Sequence, residues 1–213
     1  MENSITLTAQ QLYYIATLMN AEHIDYSYIS AMGIIEDNYS VFESRVIGEL
    51  VELGIVNEDF NGEVEIRSDI HGLLEPVFFG TAELTFDMCP TVSEGAMKCH
   101  HFHMLRDRIV MISNDDVRLN IVQADADSVM KAIKELLPEG YSSGKELVLQ
   151  EVDKEKITRI ISVKSIVSDK ESLVEVFLEY AGRICKENDD GSLVSLDKDT
   201  FISDCVSVMQ GVI

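Results

Sequence analysis

At 213 residues and 23.9 kDa, with 46% hydrophobic residues and a mean hydropathy of +0.07, the chain can bury a real core, which excludes disorder. Its 17 Lys and Arg against 38 Asp and Glu give a formal charge of −21, a surface that repels phosphate backbones and anionic membranes. No apolar run approaches the roughly 18 to 20 residues that span a bilayer, and the opening MENSITLTAQQ has neither a basic nor an apolar stretch, so a cytosolic protein without membrane insertion is expected.

The first element is a helix over 9–19, with Thr8 and Gln11 as its capping box and Leu12, Ile15, Ala16 and Met19 at helical spacing. A short helix over about 26–33 follows. The next helix spans 41–53, with Ser40 and Glu43 as capping box, Val46, Ile47, Leu50 and Val51 as the stripe and Gly54 as the stop. Asn61-Gly62 then turns a short hairpin. Helix, helix, helix, hairpin is winged-helix grammar, but the charges oppose DNA reading. The third helix sets Glu43, Glu49 and Glu52 against Arg45, and the wing carries Glu58, Asp59, Glu63 and Glu65. A structural or protein-docking role is expected, with no nucleic acid as partner.

Ser68 opens another short helix, SDIHGLLEP, and from there the pattern changes to period two. TAELTFD places Ala82, Leu84 and Phe86 on one face, and the segment MCPTVSEG reads as a loop. AMKCHHFHML, RIVMIS and VRLNIVQ continue an antiparallel meander, and Asp125 or Asp127 caps a helix over 127–137. EGYSSGK is a linker. Beyond it ELVLQEV reads as a strand and DKEKITRIISV as a capped helix. LVEVFLEY places Val174, Val176, Leu178 and Tyr180 on one face and Glu175, Phe177 and Glu179 on the other. NDDG turns the chain, SLVSL returns, and Asp197 caps the last helix.

RIVMISNDDVRLNIVQADADSVMKAI and RICKENDDGSLVSLDKDTFISDC therefore read alike: strand, Asn-Asp-Asp turn, strand, acidic cap, helix. Either two common units resemble each other by chance, or the chain holds one unit twice. An internal duplication would give two β-meander-plus-helix units about a pseudo-twofold axis. The expected fold class is α/β (α+β): a central, mostly antiparallel sheet flanked by helices, behind the winged-helix-like N-terminal segment. The halves would be residues 1–138 and 145–213 of one compact domain, joined by linker 139–145.

Candidate chemistry is sparse. On a strand Cys99, His101 and His103 of KCHHFHM share one face and could ligate Zn²⁺ or another transition metal, with His71, Cys89 or Asp87 as a fourth ligand. A merely histidine-rich strand face accounts for the same residues. The other cysteines, Cys185 and Cys205 among them, are expected to be reduced apolar fillers. No phosphate loop, dinucleotide fingerprint, HExxH or nucleophile elbow occurs. The acidic pairs Asp115-Asp116 and Asp189-Asp190 sit at hairpin tips, where Asp serves the turn. The chain is not expected to be an enzyme, and no cofactor is expected.

TLTAQQLYYIATLMNAEHI, ESRVIGELVELGIVNEDFNGEV, SDIHGLLEPV with TAELTFD, DRIVMISNDDVRLNIVQADADSVMKAIKELLP, SGKELVLQEVDKEKI and DDGSLVSLDKDTFISDCVSVM follow one another in an order that resembles the EspG-type chaperones of type VII (ESX) secretion systems and their shorter EsaE-type relatives. The likeness covers nearly the whole chain as architecture and spacing. It implies a fold with a quasi-twofold relation between halves. It also implies a role: binding a secreted helical-hairpin substrate in the cytosol and keeping it soluble until the secretion ATPase takes it. On that role, the partner-binding surface is expected on the outward face and tip of the second-half hairpin, at Phe177, Ile184 and Leu193; alternatively Phe177 packs under the terminal helix. An unpaired edge strand would allow a homodimer.

Overall fold

The computed structural model describes residues 4–33, 38–91, 98–115, 118–138, 140–141, 148–149, 152–167 and 170–209. The chain opens on a strand that the sequence pattern does not announce, β1 (Ser4–Thr8), and Thr8 then caps α1 (Ala9–Leu18). The capping box is reciprocal: Gln11 N–H donates to Thr8 Oγ1 at 3.2 Å and Thr8 N–H to Gln11 Oε1 at 2.9 Å. A short α2 (Tyr26–Ser30) follows, then α3 (Tyr39–Glu52). Asn38, not Ser40, caps α3, accepting from Ser40 N at 3.0 Å. Gly54, at φ +65°, ends the helix in the left-handed conformation that glycine adopts without a Cβ penalty. The hairpin β2 (Val56–Glu58) and β3 (Val64–Ile66) forms a separate small sheet. The helix opened by Ser68, α4 (Ser68–Phe79), continues through Pro76.

The first meander is β4 (Ala82–Pro90), β5 (Lys98–Leu105), β6 (Arg108–Asp115) and β7 (Arg118–Ala124), closed by α5 (Ala126–Glu135), which Asp125 caps through Ser128. MCPTVSEG is in part strand, since β4 runs to Pro90; its residues 92–95 lie outside the described residues, as do 116 and 117 after the first Asn-Asp pair. The second half holds β8 (Val148–Leu149), β9 (Ile157–Val167), β10 (Lys170–Tyr180), β11 (Arg183–Glu187), β12 (Leu193–Ser195) and α6 (Lys198–Met209). Of linker 139–145 only Gly140 and Tyr141 are described, and Tyr141 OH donates to Leu196 O at 2.5 Å.

The expected helix in DKEKITRIISV is a correction. Asp153 caps only a 3₁₀ turn, Lys154–Lys156, and Ile157 begins the eleven-residue β9. Seven of its residues are Ile, Val or Thr, whose branched Cβ suits a pleated surface, and it pairs with β4 on one side and β10 on the other. Tertiary pairing overrides the cap signal.

Ten strands form one antiparallel sheet in the order β1-β7-β6-β5-β4-β9-β10-β11-β12-β8. The order explains the echo between Asn114-Asp115 and Asn188-Asp189. β4 and β9 pair antiparallel at the centre, from Ala82–Val167 to Pro90–Arg159. Outward from that line each half runs through its next three strands in chain order to an edge strand, and each ends in a helix. A twofold axis between β4 and β9 exchanges the two units. Because both halves share one sheet, the core beneath their two closing helices draws on both.

One face of the sheet carries α5 and α6, where Leu84, Phe86, Phe102, Ile161, Val163 and Phe177 meet Ile133, Phe201 and Cys205. The opposite face is covered over the first half by α1, α3 and α4: Val110, Ile112, Leu119 and Ile121 pack with Leu12, Ile15, Phe42, Leu50 and Leu74. No helix among the described residues is long and apolar enough to cross a membrane.

Candidate functional site

The twofold is broken by one insertion. Between the edge strand and first central strand of the N-terminal half lie residues 9–81, with α1–α4; the equivalent interval of the C-terminal half is residues 150–156. The helices therefore seat on only half of their face. Over β9 and β10 the same face shows Ile160, Val174 and Val176 at 40, 43 and 46% exposure. Register places them together: Ile160 pairs with Leu178, Ser162 with Val176 and Lys164 with Val174. Three branched apolar side chains around one lysine thus stand in water on a sheet whose backbone is fully paired. Isolated exposed apolar residues are ordinary, but a contiguous set on a rigid face is not.

The residues expected to bind a partner are elsewhere. Phe177, Ile184 and Leu193 are fully buried. Phe177 faces α6 and meets Phe201 edge-on, ring centres 4.8 Å apart. Ile184 joins the same core, and Leu193 packs with Tyr180 and Cys185 near the sheet edge. The alternation of LVEVFLEY is present, and of the two placements open for Phe177 the one beneath the terminal helix holds. The Glu175, Phe177, Glu179 face is the covered one, with its carboxylates led to the periphery: Glu175 pairs with Lys186 at 2.6 Å and Glu179 with Arg159. Of the face expected to be buried, Val174 and Val176 are bare.

A second feature lies on the same face at the centre of the sheet, beneath α2. Here β4 offers Glu83, Thr85 and Asp87, and β5 offers His103, His101 and Cys99 directly opposite them. His100 points to the other face, opposite Phe86. Both histidines turn Nδ1 to Glu83, and their Nε2 atoms have different partners. His103 turns Nε2 to the hydroxyl of Tyr28 at 2.7 Å, with Nδ1 3.8 Å from Glu83 Oε2. His101 sets Nδ1 against Glu83 Oε1 at 2.7 Å and Nε2 against Cys99 Sγ at 2.7 Å, and Cys99 Sγ lies 2.6 Å from Asp87 Oδ1. Thr85 donates to Glu83 Oε1 at 3.0 Å, and Asn114 Oδ1 accepts from the Cys99 amide at 2.9 Å.

The electrostatics follow from burial and these bonds. Burial would raise the Glu83 carboxyl, but the hydrogen bond from His101 and the neighbouring ring charges outweigh it and hold it down at about 2. Burial pushes His103 down to about 4 and the Cys99 thiol far up. The cluster has no assembled nucleophile and base, because the thiol is protonated and Glu83 is engaged on both oxygens. It is a polar junction between strands. The expected set Cys99, His101, His103 is therefore divided: Asp87, one of the expected fourth ligands, groups with Cys99 and His101, and His103 groups with Glu83 and the same His101. The signal was available, since TAELTFD alternates Glu83, Thr85 and Asp87 against its apolar face. Of the remaining cysteines, Cys89 is exposed and Cys185 and Cys205 are buried, all free.

Compared with known proteins, the chain matches no family model and no curated sequence. Among solved structures it is similar to the Mycobacterium tuberculosis type VII secretion system chaperone EspG5, determined in complex with the PE25–PPE41 dimer. The TM-score is 0.67 over 97% of this chain and 96% of EspG5. The fold is shared. At 8% identity the likeness is one of architecture, and it extends over nearly all of both chains.

Proposed function

We propose that this chain is a non-enzymatic chaperone or adaptor of a type VII secretion system, acting in the cytoplasm on a secreted helical protein. The observation that carries the reading is the fold likeness, over nearly all of both chains, to EspG5, which was solved holding the PE25–PPE41 dimer. The bare face of β9 and β10 supports it. A helical hairpin exposes apolar side chains at its tip, and Ile160, Val174 and Val176 present a flat apolar counterpart. The sheet beneath is already formed, so little ordering entropy opposes binding. With a charge of −21 the chaperone repels copies of itself while Lys164, amid the apolar stripe, gives an acidic partner an orientation. The partner would be held soluble on this face until the secretion ATPase takes it over.

Co-expression of the full chain with each small helical secreted protein of the same genome tests this. One of them is expected to become soluble and to co-elute in stoichiometric amount on size exclusion, with both masses confirmed intact. If every candidate stays insoluble or elutes alone, the chaperone reading fails.

A further inference from the structure

We propose that Asp87, Cys99 and His101 form a transition-metal site in which Glu83 orients the histidine. The donor atoms of all three lie within 4.8 Å of one another, on two adjacent paired strands. Their chemistry is that of a zinc site: one carboxylate oxygen, one sulfur and one imidazole nitrogen, where zinc takes sulfur, nitrogen and oxygen donors.

The hydrogen bonding argues for a cation. His101 Nδ1–H donates to Glu83 Oε1 at 2.7 Å, so in the neutral ring Nε2 presents a lone pair toward Cys99 Sγ. The Cys99 thiol has one hydrogen, yet it faces that lone pair at 2.7 Å and Asp87 Oδ1 at 2.6 Å. One acceptor is left without a proton. A cation bound by all three resolves the conflict, with the Cys99 proton released to solvent and the thiolate, carboxylate and neutral ring as ligands.

The surroundings are those of a metal ligand set. A ligating histidine usually hands its other N–H to a carboxylate, which fixes its tautomer and ring plane. Glu83 does this for His101, and Thr85 and His103 hold Glu83 in turn. Asn114 anchors the backbone of Cys99 from β6. Around zinc the donors would stand about 3.5 Å apart, from Zn–S of about 2.3 Å and Zn–N of about 2.0 Å. The two contacts at Cys99 Sγ therefore need to open by less than about 1 Å. A cavity of about 350 Å³ adjoins them, bounded also by Asp25 and Lys164, and supplies space for that movement and for water as fourth ligand. In this role the ion fastens β4 to β5 beneath α2. The site adjoins the bare face, since Asp87 pairs with Ser162, which pairs with Val176, and Lys164 borders both; its test uses the chain without a partner and is therefore read separately from partner binding.

The experiment uses the full chain, stripped with chelator and titrated with Co²⁺ and then Zn²⁺. The expected result is a single equivalent of Co²⁺ with the visible bands of a four-coordinate ion and a near-ultraviolet thiolate-to-cobalt band, both displaced by Zn²⁺. Cys99→Ser is expected to lose the near-ultraviolet band. Glu83→Gln is expected to keep it but to bind roughly 10- to 100-fold more weakly, as second-sphere partners of zinc histidines do. Circular dichroism establishes that each variant is folded; should Cys99→Ser not fold, Asp87→Asn serves in its place through loss of affinity. No cobalt bands in the folded wild-type chain, or a near-ultraviolet band that survives in folded Cys99→Ser, would overturn the proposal and assign the short contacts to a protonated His101 paired with the thiol.

Discussion

Replacing Val174 and Val176 together by Asp is expected to weaken capture of the helical partner by on the order of 100-fold or more, without unfolding the protein. Two residues at the centre of an apolar interface are each worth about 2 kcal/mol when they act as anchors, and every 1.4 kcal/mol is about tenfold. Here each would be replaced by a charge that the partner must desolvate. The fold tolerates the change because both side chains are over two-fifths exposed and point away from the helices on the other face. Surface substitutions of this kind usually move stability by about 0.5 kcal/mol, with a further strand-propensity cost of up to about 1 kcal/mol. Titration calorimetry with the purified partner, beside a thermal melt, separates the two effects. Unchanged affinity in the folded double variant would place the docking surface elsewhere.

The residue that follows Val176 is expected to behave in the opposite way. Phe177→Ala should destabilise the chain by about 3–5 kcal/mol in urea unfolding, the range for deleting a buried aromatic side chain. Phe177 is fully buried beneath α6, and its edge-on contact with Phe201 adds to what is lost. Val176→Ala, one position away, should cost about 0.5 kcal/mol, since its side chain stands in solvent. If the two variants exchanged these effects, the assignment of sheet faces would be inverted and the bare face with it.

The two faces of β10 show what the sequence can and cannot tell. Period two along LVEVFLEY was legible, and so were the caps at Thr8, Asp125 and Asp197, because each is written in a few adjacent residues. The repeated meander was legible as well, and its meaning became clear once β4 and β9 were seen to pair at the centre. Which face of β10 is covered depends instead on where α6 lands, more than twenty residues later, and on carboxylates that reach Lys186 and Arg159. A face reading Val, Val, Leu, Tyr looks interior by every local rule. Its Val174 and Val176 are bare here, although Tyr180 is buried, because residues 150–156 occupy the interval that holds four helices in the other half. β9 was misread for a related reason: Asp153 does cap a turn, but two flanking strands claim the residues after it. The polar junction was half legible. Cys99, His101 and His103 were on one face as expected, whereas the grouping of Asp87 with Cys99 and His101 rests on the register between β4 and β5.

The claim that ties these observations together is that the helical partner seats on β10. It is tested most directly by installing a benzophenone side chain at position 176 of the full chain and irradiating it with the partner present. The account predicts a covalent adduct at the summed mass of the two proteins from position 176, and none from position 41, an exposed site on α3. An adduct from position 41 with none from position 176 would contradict it.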